Sequence, residues 1–108
     1  MSTEKSFIDY VTGQMKSAGE ITARKMFGEY AVYLDGKVIA LVCDNQLFVK
    51  PTAPGRAFIG EPTEAPPYSG AKPHFLIDEQ LDDPEWLTEL ARLTADALPT
   101  PKPKKSKK

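Results

Sequence analysis

The chain has 108 residues, 41% of them hydrophobic, which is enough for one core and too few for two independent ones. No apolar run approaches the roughly 18 to 20 residues that cross a bilayer, and the opening MSTEKSF lacks the basic-then-apolar pattern of a secretory signal, so a soluble, cytoplasmic protein without a membrane partner is expected. The net charge of −1 hides a division: residues 1–100 carry fifteen acidic and nine basic side chains, net −6, and the closing KPKKSKK carries the other five lysines, +5.

In chain order, Phe7, Val11, Met15 and Ala18 recur at helical spacing with Ile8 beside them. They predict a helix from about Thr3 to Ala18, capped by Ser2 or Thr3 and ended by Gly19, with Gly13 costing it about 1 kcal/mol. Short segments rich in strand formers follow near Ala23 to Phe27, Tyr30 to Leu34, Lys37 to Cys43 and Gln46 to Lys50. Asp35-Gly36 is the strongest turn signal between them, because a two-residue type I′ hairpin needs positive φ at both positions. The segments read as an antiparallel meander.

With both turns as two-residue loops, Tyr30, Val32, Leu34, Ile39, Leu41, Cys43 and Phe48 share one face. Ala31, Tyr33, Val38, Ala40, Val42, Leu47 and Val49 share the other. Neither set is polar, so both faces are expected to be covered, one by the helices and the other by close approach over Ala31 and Ala40.

Residues 51–73 hold six of the ten prolines and read as a connection, with one short helical turn near Arg56 to Ile59. His74 to Ile77 looks like a strand returning to the sheet. A final helix starts with Asp83 as N-cap and Pro84 at its first position, and Asp82, Asp83 and Glu85 lie near its positive end. Its apolar stripe is Trp86, Leu87, Leu90, Ala91, Leu93, Ala97 and Leu98, and it stops at Pro99. The expected architecture is α+β, an antiparallel meander of about five strands flanked by an N-terminal and a C-terminal helix. Residues 1–99 form the domain and 100–108 a disordered basic tail.

The run ARKMFGEYAVYLDGKVIALVCDNQLFVK, then EAPPYSGAKPHFLI, then LDDPEWLTELARLTADALP, resembles the N-terminal domain of the TfoX/Sxy proteins, which are associated with competence for DNA uptake in bacteria. The resemblance covers about Thr3 to Pro99. It rests most on MFG at Met26 to Gly28, YLDGK at Tyr33 to Lys37, LFVK at Leu47 to Lys50 and PPYSGAKP at Pro66 to Pro73. It implies a small α+β domain like that of secretion chaperones, with no established catalytic residue.

Candidate chemistry is sparse. Cys43 with His74 is the minimum for thiol catalysis, yet Cys43 ends an aliphatic strand, where a thiol behaves as a small hydrophobe with a raised pKa. One cysteine and one histidine make a poor zinc site, and no metal or cofactor is expected. Asp78, Glu79, Asp82 and Asp83 are accounted for by helix initiation. Gly70 to Lys72 lacks the arrangement that cradles phosphates. No catalytic residue is assigned, and a non-enzymatic protein is expected.

Two readings follow. One is a regulatory or accessory domain that contacts a protein partner or a second copy of itself, as a homodimer, through sheet surface the helices leave open. The other is a nucleic-acid-associated module whose tail lysines, Lys102, Lys104, Lys105, Lys107 and Lys108, neutralise phosphates without sequence preference. Five such contacts give a salt slope of about −4.5 in log K against log salt. Arg24, Lys25, Lys50, Arg56 and Lys72 would extend that surface if they converge, and Lys25 is expected at a strand edge with its head in water.

Overall fold

The computed structural model describes residues 3–26 and 29–98. In chain order these form α1 (Lys5–Gln14), a 3₁₀ turn (Lys16–Ala18), β1 (Ile21–Met26), β2 (Glu29–Leu34), β3 (Lys37–Cys43), β4 (Gln46–Val49) and α2 (Ala53–Ile59). Then come β5 (Thr63–Ala65), β6 (His74–Ile77), a second 3₁₀ turn (Glu79–Asp82) and α3 (Pro84–Ala97). The six strands make one antiparallel sheet in the order β1-β2-β3-β4-β6-β5.

Two left-handed pairs turn the meander. Asp35 and Gly36 have φ of 52° and 87°, and Asp44 and Asn45 have 54° and 58°. Both are the two-residue turns expected, with Leu34 facing Lys37 and Cys43 facing Gln46. The ladder between them is not continuous. Tyr33 faces Val38, but Val32 faces Ala40, so Ile39 is an extra residue, a β-bulge.

That one residue corrects the expected face assignment. Tyr30, Val32 and Leu34 share their side with Ala40, Val42, Leu47 and Val49, not with Leu41, Cys43 and Phe48. Ala31 and Ala40 consequently lie on opposite faces. Ile39 is itself only 1% exposed and joins the core.

The helices fill the first side. Ile8, Val11 and Met15 come down from the N-terminal segment and Leu87, Leu90, Ala91 and Ala95 from α3, onto Val32, Leu34, Val42, Leu47, Val49, Phe75 and Ile77. Burying each large side chain contributes roughly 1.5–3 kcal/mol. A ring pair between Phe58 and Trp86, centroids 5.3 Å apart, ties α2 to α3.

Local signals decide the helix ends. Asp83 Oδ1 accepts from the Trp86 amide at 3.1 Å, as an N-cap should, and Pro84 opens α3. Thr52 Oγ1 accepts from the Gly55 amide at 3.1 Å, which starts α2 earlier than the expected turn near Arg56.

The start of α1 departs from expectation, because its N-cap is Glu4 with no side-chain cap. The Thr3 hydroxyl is engaged elsewhere: it donates to Glu29 Oε1 at 2.6 Å, and its oxygen accepts from the Asn45 amide at 3.3 Å in place of a helix amide. The helix also ends at Gln14, one residue after Gly13, and a 3₁₀ turn completes the segment. The unexpected strand is β5, three residues paired with β6.

Candidate interaction surface

With α1 and α3 on one side, the sheet's other side is formed by Ala31, Tyr33, Val38, Leu41, Cys43, Phe48 and Leu76. Ala31, Phe48 and Cys43 are buried, and Tyr33, Val38, Leu41 and Leu76 are half-buried. Cover over this side is therefore partial, which corrects the expectation of a sheet packed on both faces. Pro67 is buried and Tyr68, next to it, is 60% exposed.

Beside Tyr68 the surface sinks into a depression of about 450 Å³ lined by Met26, Glu29, Tyr30, Leu41, Cys43 and Tyr68. Met26, at 41% exposed, forms part of its rim. The lining is a thioether, two phenol rings, a leucine and a thiol, with one carboxylate. That carboxylate is already engaged: Glu29 Oε1 accepts from the Thr3 hydroxyl and, at 2.9 Å, from the Asp44 amide. The same corner is closed by the Glu4 amide, which donates to Asn45 Oδ1 at 3.0 Å. Such a hollow accepts an apolar side chain.

Cys43 lies at the bottom, 6% exposed. Burial raises its pKa above the ordinary 9.0, and the nearby charges of Glu29 and Asp44 push the same way. His74 is elsewhere. Cys43 is level with Gln46 on β4 and His74 falls level with Lys50, two strands away and about 13 Å along the sheet. The structure does not bring the two together.

The acidic run is divided among separate tasks. Asp83 caps α3, Asp82 accepts from the Tyr10 hydroxyl, and Glu79 and Asp82 sit in the 3₁₀ turn. Among the described residues no group of three or more His, Cys, Asp or Glu side chains is placed to hold a metal ion.

The basic side chains do not converge either. Arg24 and Lys25 are exposed on β1, at one sheet edge, while Arg56 is bound to Glu64 of β5 at 2.7 Å, at the other. Five strand spacings, about 24 Å, separate those edges. The tail lysines, Lys102, Lys104, Lys105, Lys107 and Lys108, lie outside the described residues, as does Gly28.

Sequence reasoning missed Tyr68 and Met26. The usable signal was an aromatic in a proline- and glycine-rich loop, PPYSG, with no apolar neighbours to pack against.

Residues 13–98 match the TfoX N-terminal domain, the greater part of this fold. The chain belongs to that family. This TfoX N-terminal domain is also 40% identical, over 107 residues, to a Spirochaeta aurantia protein described as "Uncharacterized 12.7 kDa protein in trpE 5'region". The match takes in 99% of this chain and 93% of the relative. Among the described residues, no helix is long and apolar enough to cross a membrane.

Proposed function

We propose that this domain is a non-enzymatic regulatory or accessory module that works by protein–protein contact through the open face of its sheet. The observation that carries the reading is the apolar depression around Leu41, Cys43 and Tyr68, on a side where, among the described residues, no helix packs. Its lining offers burial to an incoming apolar side chain and little hydrogen-bonding capacity, the character of an interface core. The regulatory part of the proposal leans on the resemblance to the TfoX/Sxy competence regulators.

The test compares the intact protein with Leu41→Asp. Light scattering gives the solution mass of each, and capture from the source cell gives each one's bound species. A dimer or a bound species present for the intact chain and lost with Leu41→Asp supports the reading. Identical masses and identical capture profiles sink it.

A second reading is carried by composition alone. The KPKKSKK ending has the charge for weak phosphate binding without sequence preference. Nucleic-acid binding by the full chain, compared with a version ending at Pro99 at two salt concentrations, tests it; equal binding by both removes the tail from the account.

A further inference from the structure

The two edges of the sheet are built differently. At one, β5 is three residues long and sits between Pro62 and Pro66, which lack the donors a neighbouring strand would need. At the other, β1 runs six residues, ITARKM, without a proline, and every residue from Thr22 to Met26 is exposed. The amide of Asp35 donates to the carbonyl of Glu20 at 2.9 Å, which fixes the phase of the β1–β2 ladder. Thr22, Arg24 and Met26 bond to β2, and the amide and carbonyl groups of Ile21, Ala23 and Lys25 point away from the sheet.

Alongside this edge a cleft of about 300 Å³ separates β1 from α1, lined by Lys5, Ile8, Asp9 and Thr12 from the helix and by Ile21 and Ala23 from the strand. A strand edge that pairs with no other strand among the described residues, beside a helix and with a cleft between them, is the geometry by which an extended peptide joins a sheet. The main chain gives affinity there, and alternate side chains give specificity.

We infer that β1 accepts a seventh, antiparallel strand from an acidic segment of a partner polypeptide. Charge selects that occupant. Arg24 and Lys25 are adjacent and exposed, and among the described residues neither has an acid within ion-pair distance. A second copy of β1 would instead gather four positive charges in one six-residue seam, so self-pairing is disfavoured.

The register also specifies the order of the incoming residues. Those opposite Ile21 and Ala23 fall on the helix side, over the cleft that Ile8 shares with Lys5, Asp9 and Thr12, and are apolar to match Ile21, Ala23 and Ile8. The residues opposite Arg24 and Lys25 must be acidic, and the one opposite Thr22 polar. Read from its own N-terminus, the strand is acid, acid, apolar, polar, apolar. Tyr30 borders both this cleft and the depression on the open face, but Ile21, Ala23 and Lys25, whose edge groups the strand would use, do not line that depression, so the inference does not depend on the proposed function.

The probes are two labelled synthetic peptides, Ser-Glu-Glu-Val-Thr-Val-Ser and its counterpart with both acids changed to lysine, added to the full chain. Fluorescence polarisation reads binding, and amide hydrogen exchange by NMR reads where it occurs. The acidic peptide should bind and slow exchange at Ile21, Ala23 and Lys25. Ala23→Pro removes an outward donor without touching the β1–β2 ladder and should weaken binding about tenfold or more. The double variant Arg24→Glu with Lys25→Glu, confined to exposed side chains, should reverse the preference between the two peptides. No binding by either peptide, binding that leaves the three amides exchanging as before, or protection of those amides by dimerisation without peptide would each overturn the inference.

Discussion

The ammonium of Lys37, the first residue of β3, donates to the carbonyl oxygen of Ala95 at 2.8 Å and lies 3.3 Å from that of Leu98. A hairpin residue thus closes the carbonyl end of the last helix, where no glycine follows to turn the chain back on itself. The position suits a cation, since the helix dipole is negative there. Lys37→Met keeps the aliphatic stem and removes the donor, and should cost about 1–2 kcal/mol, a drop of several degrees in Tm on thermal denaturation. An unchanged Tm would mean the contact contributes nothing.

Two glycines should respond to alanine with opposite signs. At Gly19, φ is +154° and an added Cβ would lie 2.8 Å from Leu34 Cδ1, so Gly19→Ala should destabilise by about 1–3 kcal/mol. Gly13 is exposed in α1 with nothing within 4 Å of its added Cβ. Gly13→Ala should stabilise by about 0.5–1 kcal/mol. Urea denaturation of both variants checks the pair, and a shift in the same direction would contradict it.

Cys43 sets a pH dependence. Its folded pKa is raised above the unfolded value near 9.0 by burial and by Glu29 and Asp44. The folded state therefore holds the proton more tightly, and this stabilisation is complete below about pH 9 and falls as pH climbs from there through the folded pKa. Cys43→Ala should show a shallower loss of stability above pH 9 than the intact protein. Iodoacetamide should label the native thiol far more slowly at pH 8 than it labels the urea-unfolded chain. Equal labelling rates would show that the thiol is open to solvent.

What could be read from residues alone, and what could not, divides by range. Asp35-Gly36 and Asp83-Pro84 announce themselves because the chemistry of a tight turn or an N-cap is contained in two adjacent residues. The Ile39 bulge does not, since Val38, Ile39 and Ala40 are all apolar and alternation is blind to a slip among them. β5 escaped notice because Thr63 to Ala65 has no strand pattern and exists only through its pairing with β6. Thr3 was a reasonable cap, but its hydroxyl oxygen accepts from the Asn45 amide and its proton goes to Glu29, both distant in sequence. The surplus of apolar strand residues was legible, but it pointed to cover on both faces, and one face is covered only in part. The hollow on that face was not legible, because Met26 and Tyr68 meet there from different parts of the chain.

The bulge has a practical consequence for comparing members of this family. Past Ile39, inside and outside trade places with respect to a plain hairpin of the same length, whereas a relative that lacked only this extra residue would keep Val38 opposite Tyr33 and Ala40 opposite Val32 and present the same faces. An alignment that left out this one-residue gap would assign lining residues to the interior and interior residues to the lining. Conclusions carried between relatives about the open face are only as good as the placement of that one insertion.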